Sequence, residues 1–162
     1  MIFFRKLWLC LLVIWAPACF AQQVRVIKFN QLSQLLSTRN DTTLIVNFWA
    51  TWCKPCVEEL PYFETLQARH ARNKVKVVLV SLDFKSQLEK KVKPFLSKTG
   101  IRTPQVVLLD ETDPGQWMEK VAPSWSGALP FTLFIHRKKG RKDYEKPFTL
   151  AELEAELRPY IK

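Results

Sequence analysis

Cys53 and Cys56 stand two residues apart in the stretch NFWATWCKPCVEELP, residues 47–61, with Trp52 before the first and Lys54-Pro55 between them. Two thiols at this spacing can form a reversible disulfide, hold a metal or carry haem. Their neighbours weigh these chemistries differently. A c-type haem site needs a histidine directly after the second cysteine, where this chain has Val57. A structural zinc site needs two more ligands, and His70 and His136 are far apart and unlike a paired-histidine motif. A purely structural bridge would close too short a loop to add much stability. Thiol–disulfide exchange fits the segment best. In it Cys53 is the nucleophile: it follows an apolar strand and opens a helical stretch, where free backbone N–H groups and the helix dipole favour the thiolate. Cys56, three residues on, can reach back and resolve a mixed disulfide. Lys54 adds positive charge beside the attacking sulfur, and Pro55 suits the first helical turn. Trp52 either offers a flat apolar face to a partner or is a plain core aromatic.

The compartment supports this chemistry. Residues 1–21, MIFFRKLWLCLLVIWAPACFA, place Arg5 and Lys6 before an apolar run from Leu7 to Trp15 and a small-residue stretch ending at Ala21. That is the layout of a secretory signal peptide, too short and too interrupted by Pro17 for a bilayer span. Export to the periplasm is the expectation, with cleavage after Ala21 or Ala18. The rival is membrane anchoring, through an uncleaved leader or a lipidated Cys19. Cys10 and Cys19 fall in the leader, so residues 22–162 keep only Cys53 and Cys56, and an oxidising compartment favours their pairing with each other.

The whole chain carries a formal charge of +10; Arg5 and Lys6 supply two of these, which leaves +8 after residue 21. Such a balance suits nucleic acid, acidic proteins or an anionic membrane surface. The basic residues are scattered over EKKVKPFLSK and HRKKGRK, so solvated faces and a hairpin tip explain them, and no nucleic-acid partner is expected.

The elements that must position the cysteines are legible as four apolar runs: Leu44 to Trp49, Val75 to Leu82, Val106 to Leu109 and Phe131 to Ile135. Unbroken and rich in β-branched or aromatic residues, they read as strands buried on both faces. Ser86 and Glu89 form a capping box for a helix carrying Leu88, Val92, Phe95 and Leu96, bent by Pro94 and stopped by Gly100. Asp113-Pro114 opens a short helix through Trp117 to Val121. Thr149 and Glu152 cap a last helix striped by Leu150, Leu153, Leu157 and Ile161. Lys139-Gly140 marks a hairpin turn. Strands alternating with helices predict an α/β domain whose mostly parallel sheet ends in an antiparallel pair.

NFWATWCKPCVEELP also resembles the active-site segment of the thioredoxin superfamily, in particular its exported TlpA/ResA-like thiol-disulfide oxidoreductases with their W-C-x-P-C-x-x-E-x-P pattern. The resemblance runs over about residues 40–162. It implies a thioredoxin-like fold, a central mixed sheet flanked by helices, with a strand-helix insertion from Lys85 to Val121. It further implies a cis proline beside the site, here Pro130 in GALPFTLF, with the backbone of Leu129 pairing with a bound polypeptide. Glu59 matches the family's glutamate, a candidate proton carrier for Cys56; an ordinary solvated helix acid is the alternative. Asn47 stands where thioredoxin itself has a buried aspartate, and an amide cannot exchange a proton at ordinary pH.

Trp125 is a candidate wall of the substrate groove, or a packing residue. His70 and His136 show no evident partners in the sequence. The protein is expected to be a monomer with no cofactor beyond its dithiol and no metal. Its partners would be disulfide-containing exported proteins, among them apocytochrome c, and a membrane thiol-relay electron donor. An oxidant running the same exchange in reverse, and a non-enzymatic module binding extended chains beside Pro130, are the competing readings.

Overall fold

In the computed structural model of the protein, residues 23–37, 40–102 and 105–161 are described. The leader assigned to residues 1–21, with Cys10 and Cys19, lies outside them.

The apolar runs become the middle of a six-stranded sheet. Its strands are β1 (Val24–Ile27), β2 (Thr43–Trp49), β3 (Val75–Ser81), β4 (Gln105–Leu109), β5 (Phe131–His136) and β6 (Gly140–Tyr144), in the order β1-β4-β3-β2-β5-β6. The first four strands are mutually parallel; β5 runs antiparallel to its neighbour β2, and β6 antiparallel to β5. Every residue of β2 and β5 is buried, as continuous apolar runs require when both sheet faces are covered. β4, the strand of the Lys85–Val121 insertion, lies between β1 and β3.

Helices α2 (Lys54–His70), α3 (Lys93–Thr99) and α5 (Leu150–Ile161) pack Leu60, Phe63, Leu96, Leu153 and Leu157 onto one face. Helices α1 (Phe29–Leu36) and α4 (Met118–Val121) cover the other, through Leu32 and Val121. β1 and α1 carry only faint sequence signals. The strand is four residues long, and the helix opens on Lys28, whose backbone N–H donates to Gln31 Oε1 at 3.0 Å.

Two local expectations change. The chain after Phe84 is not one helix capped by Ser86: a 3₁₀ turn, Lys85–Gln87, runs into a π-turn, Leu88–Val92, before α3. Pro94 is then second in α3, where its missing N–H is tolerated, and the wider turn before it absorbs the mismatch. Glu89 pairs with Lys93, one turn on. The stretch after Asp113 is likewise split. Asp113 Oδ1 accepts from Gly115 N at 3.0 Å and caps a 3₁₀ turn, Pro114–Gln116, and α4 follows after a break at Trp117.

Elsewhere the stop and start signals act as read. Gly100 ends α3 in the left-handed region, at φ 70°. Thr149 and Glu152 exchange reciprocal bonds at the start of α5, Thr149 N to Glu152 Oε2 at 2.8 Å and Glu152 N to Thr149 Oγ1 at 3.3 Å. The hairpin turn is Arg137–Lys139, and Gly140, at φ 81°, is the first residue of β6 rather than part of the turn.

Candidate active site

β2 ends at Trp49, and the Ala50–Trp52 turn carries the chain to Cys53, which caps α2 with extended backbone, φ −91° and ψ 98°. Cys53 and Cys56 form a disulfide, with Cα atoms 5.3 Å apart. Cys56 is fully buried and Cys53 is 6% exposed, so the bridge is approached from the Cys53 side. The cap position leaves the first N–H groups of α2 without helical partners, close to Cys53.

Around this bridge the site has an open rim. Trp52 is 66% exposed, which settles its alternatives in favour of a surface residue. Lys54 and Pro55 are exposed as well, and the Lys54 ammonium lies 3.9 Å from the Glu58 carboxylate one turn on. Phe84, 76% exposed, comes from the loop after β3. Asp83 ties that loop to the cysteine turn. Its carboxyl oxygens accept from Thr51 N at 3.0 Å, Thr51 Oγ1 at 2.5 Å and Ser81 Oγ at 2.8 Å, and Asp83 is buried. Leu82 N donates to Trp49 O at 2.8 Å beside them. Asp83 and Phe84 belong to no motif of the sequence; a lone acid directly after an apolar strand, in VSLDF, is the signal that marks them.

The Leu129–Pro130 peptide is cis. The β2–β5 register, with Phe48 opposite Phe131, brings Pro130 beside the end of β2 that leads to Cys53. Leu129 is half-buried. Trp125 does not wall a groove. It is buried, stacked on Phe131 with ring centres 4.4 Å apart and packed on Phe48 at 4.8 Å. Its indole N–H donates to Ala128 O at 2.8 Å, and Ser126 N donates to Glu145 Oε2 at 2.8 Å. The loop before Pro130 is therefore held from the core and from the end of β6.

Beneath the bridge the site has a closed floor. Glu59, one turn beyond Cys56 on α2, is 1% exposed, not a solvated helix acid. Its Oε1 accepts from Asn47 Nδ2 at 2.8 Å and its Oε2 from Phe148 N at 2.7 Å. Burial pushes its pKa up to about 7, against the pull of those two bonds toward the carboxylate. Asn47 Nδ2 also donates to Thr132 Oγ1 at 3.1 Å, while its Oδ1 has no partner among the described residues. The amide can thus serve both states of Glu59. Nδ2 donates to the carboxylate, and the same amide turned by half a rotation would accept from the acid.

His70 and His136 lie away from the site, and both have partners. His70 Nε2 is 2.8 Å from Glu154 Oε2, joining α2 to α5, and His136 Nε2 is 3.5 Å from Asp41.

Comparison with known proteins places this arrangement. The Redoxin family pattern matches residues 30–116, more than half of the chain. The thioredoxin-like protein YneN of Bacillus subtilis is 40% identical over 68 residues, 42% of this chain and 38% of that protein. The thiol-disulfide oxidoreductase ResA of Bacillus anthracis is 31% identical over 99 residues, 60% of this chain and 50% of ResA. These matches span half or less of the relatives' own length. Among solved structures, StoA from Bacillus subtilis superposes with a TM-score of 0.55 at 26% identity, covering 72% of this chain and 83% of StoA. A thioredoxin-related protein from Neisseria meningitidis serogroup B gives 0.62 at 24% identity, covering 78% and 89%. With a thioredoxin-like sheet, a cysteine pair capping α2 and a cis proline beside it, the chain belongs to the Redoxin family.

Proposed function

We propose that the protein is a thiol-disulfide oxidoreductase of the ResA/TlpA type that reduces disulfides of exported proteins. The observation that carries this reading is the Cys53–Cys56 bridge, reached by solvent only narrowly and only from the Cys53 side, with Cys56 fully buried and a carboxyl group of pKa about 7 one turn below. In the reduced protein the Cys53 thiolate attacks one sulfur of a client disulfide, forming a mixed disulfide and expelling the client's other sulfur as thiolate. Cys56 gives its proton to the Glu59 carboxylate and attacks Cys53 Sγ. The client leaves with two thiols, and the protein keeps two fewer electrons in the Cys53–Cys56 disulfide. A dithiol donor, in this reading a membrane thiol-relay protein, restores the pair.

Trp52, Pro55 and Phe84 receive the client on the apolar rim, and the backbone at Leu129 pairs with its extended chain. The signal-like leader supports a periplasmic location, whether the leader is cleaved or the protein stays anchored through it or through Cys19. Apocytochrome c, a polypeptide whose paired cysteines must be reduced before haem attachment, is a client that fits this chemistry.

The test is stoichiometric. Reduced protein mixed with a disulfide-bonded polypeptide is expected to form one Cys53–Cys56 bridge for each client disulfide lost. A protein that binds the polypeptide and leaves its disulfide intact would instead be a binding module.

A further inference from the structure

Charge that looks scattered in the sequence is sorted by the fold. β1 to β4 all begin at the end of the sheet opposite Cys53, and β5 runs back to that end, so the connections between elements collect there. The β5–β6 turn is Arg137-Lys138-Lys139, the α2–β3 connection contributes Arg72 and Lys74, and Lys76 follows near the start of β3; all six are exposed. Among the described residues of these connections Asp41 is the one acid. Its carboxylate lies 3.6 Å from Lys138 and 3.7 Å from Lys74, and so draws the hairpin tip and the α2–β3 loop together. A cleft of about 290 Å³ opens between them, edged by Lys74, Lys138 and Lys139 and floored by Tyr160 and Ile161.

From this placement we infer that the basic end is a docking surface for an anionic phospholipid bilayer, which holds the protein with Cys53 facing away from the membrane. Charge complementarity is one ground, since clusters of lysine and arginine are drawn to anionic headgroups within a Debye length. The position of the remaining chain is another. In the uncleaved or lipid-anchored form, the chain that precedes β1, with the apolar run Leu7 to Trp15 and Cys19, joins the domain at this same end. A nucleic acid fits less well, because single strands call for aromatic platforms beside the charge, and the exposed Trp52 and Phe84 are at the opposite end. The seven residues of β2 separate the two ends by roughly 23 Å at ~3.3 Å per residue, enough to keep the dithiol clear of the headgroups.

The test compares the full chain with its triple variant Arg72→Gln, Lys76→Gln, Lys138→Gln on vesicles of phosphatidylcholine with and without phosphatidylglycerol. Any contribution of the leader is shared by both proteins. The wild-type chain is expected to prefer the anionic vesicles, and the variant to bind them about 100-fold more weakly at low salt, at roughly fivefold per charge removed. Salt of about 1 M should erase the difference. A second variant, Lys28→Gln, Lys85→Gln, Lys120→Gln, removes equal charge elsewhere and should bind like wild type. Equal binding to both lipids, or equal losses in the two variants, would overturn the proposal, as would tighter binding to DNA than to the anionic vesicles at the same salt.

Discussion

The two sides of the Cys53–Cys56 bridge are built on opposite principles. On the rim, Trp52, Lys54, Pro55 and Phe84 stand in solvent and make few bonds that hold them; below, Cys56, Glu59 and Asn47 are sealed from water and bonded to β5 and the Phe148 backbone. A surface open to unlike polypeptides needs apolar area and tolerance of shape. A proton carrier needs a low-dielectric site that moves a carboxyl group's pKa toward neutrality. In the proposed exchange the rim would govern which disulfides reach Cys53, and the floor how fast Cys56 completes the reaction.

Replacing the bridge residues breaks this division most severely. Cys53→Ser should abolish disulfide turnover, whereas Cys56→Ser should still attack and accumulate a mixed disulfide with the client, visible by non-reducing electrophoresis.

Glu59→Gln attacks the floor alone. Loss of the proton acceptor should slow resolution by about 100-fold near pH 7 and flatten the rate profile around that pH, in stopped-flow measurements. The same variant carries a stability signature. With a folded pKa of about 7 against 4.5 for the free group, the folded chain holds a proton between these values that the unfolded chain has lost. Stability from this group is present below pH 4.5 and lost as pH rises toward 7, by up to about 3 kcal/mol. Urea unfolding at pH 5 and pH 8 should show that fall in wild type and lack it in Glu59→Gln.

Asp83→Ala tests the joint between rim and core. It leaves Thr51 N, Thr51 Oγ1 and Ser81 Oγ without their acceptor and should cost about 2 kcal/mol in chemical denaturation. Client reduction should fall as the Thr51–Trp52 turn loosens. Rim changes come next. Trp52→Ala and Phe84→Ala should leave stability within about 0.5 kcal/mol. They should raise KM for a protein disulfide and leave a small-molecule disulfide unaffected. Lys54→Gln should matter least. Its side chain is 87% exposed and sits by Glu58, so the alkylation rate of Cys53 should change by less than about twofold.

The four central strands were legible because each is an unbroken apolar run, and the capping box of α5 because its partners are three residues apart. β1 and α1 were missed because four residues cannot display a period and Lys28 is no standard cap. The π-turn before α3 is a compromise between a helical pattern and Pro94, which local rules place poorly. At the site, the cysteines could be read from spacing, and Glu59 and Pro130 from the resemblance. The contacts that define the floor could not, for Asn47, Thr132 and Phe148 lie up to 89 residues from their partners. Asp83 was hidden for the same reason, its partner Thr51 being 32 residues away on another loop. Trp125 shows the converse: its closeness in sequence to Pro130 suggested a groove, but Phe48 and Phe131 claim its ring for the core.

The reduction potential of the Cys53/Cys56 couple, measured by equilibrating the protein with defined thiol buffers, tests the central claim most directly. A reductant of client disulfides requires a value near or below about −230 mV. A value near about −120 mV, as in strong oxidants, or no reversible couple at all, would contradict it.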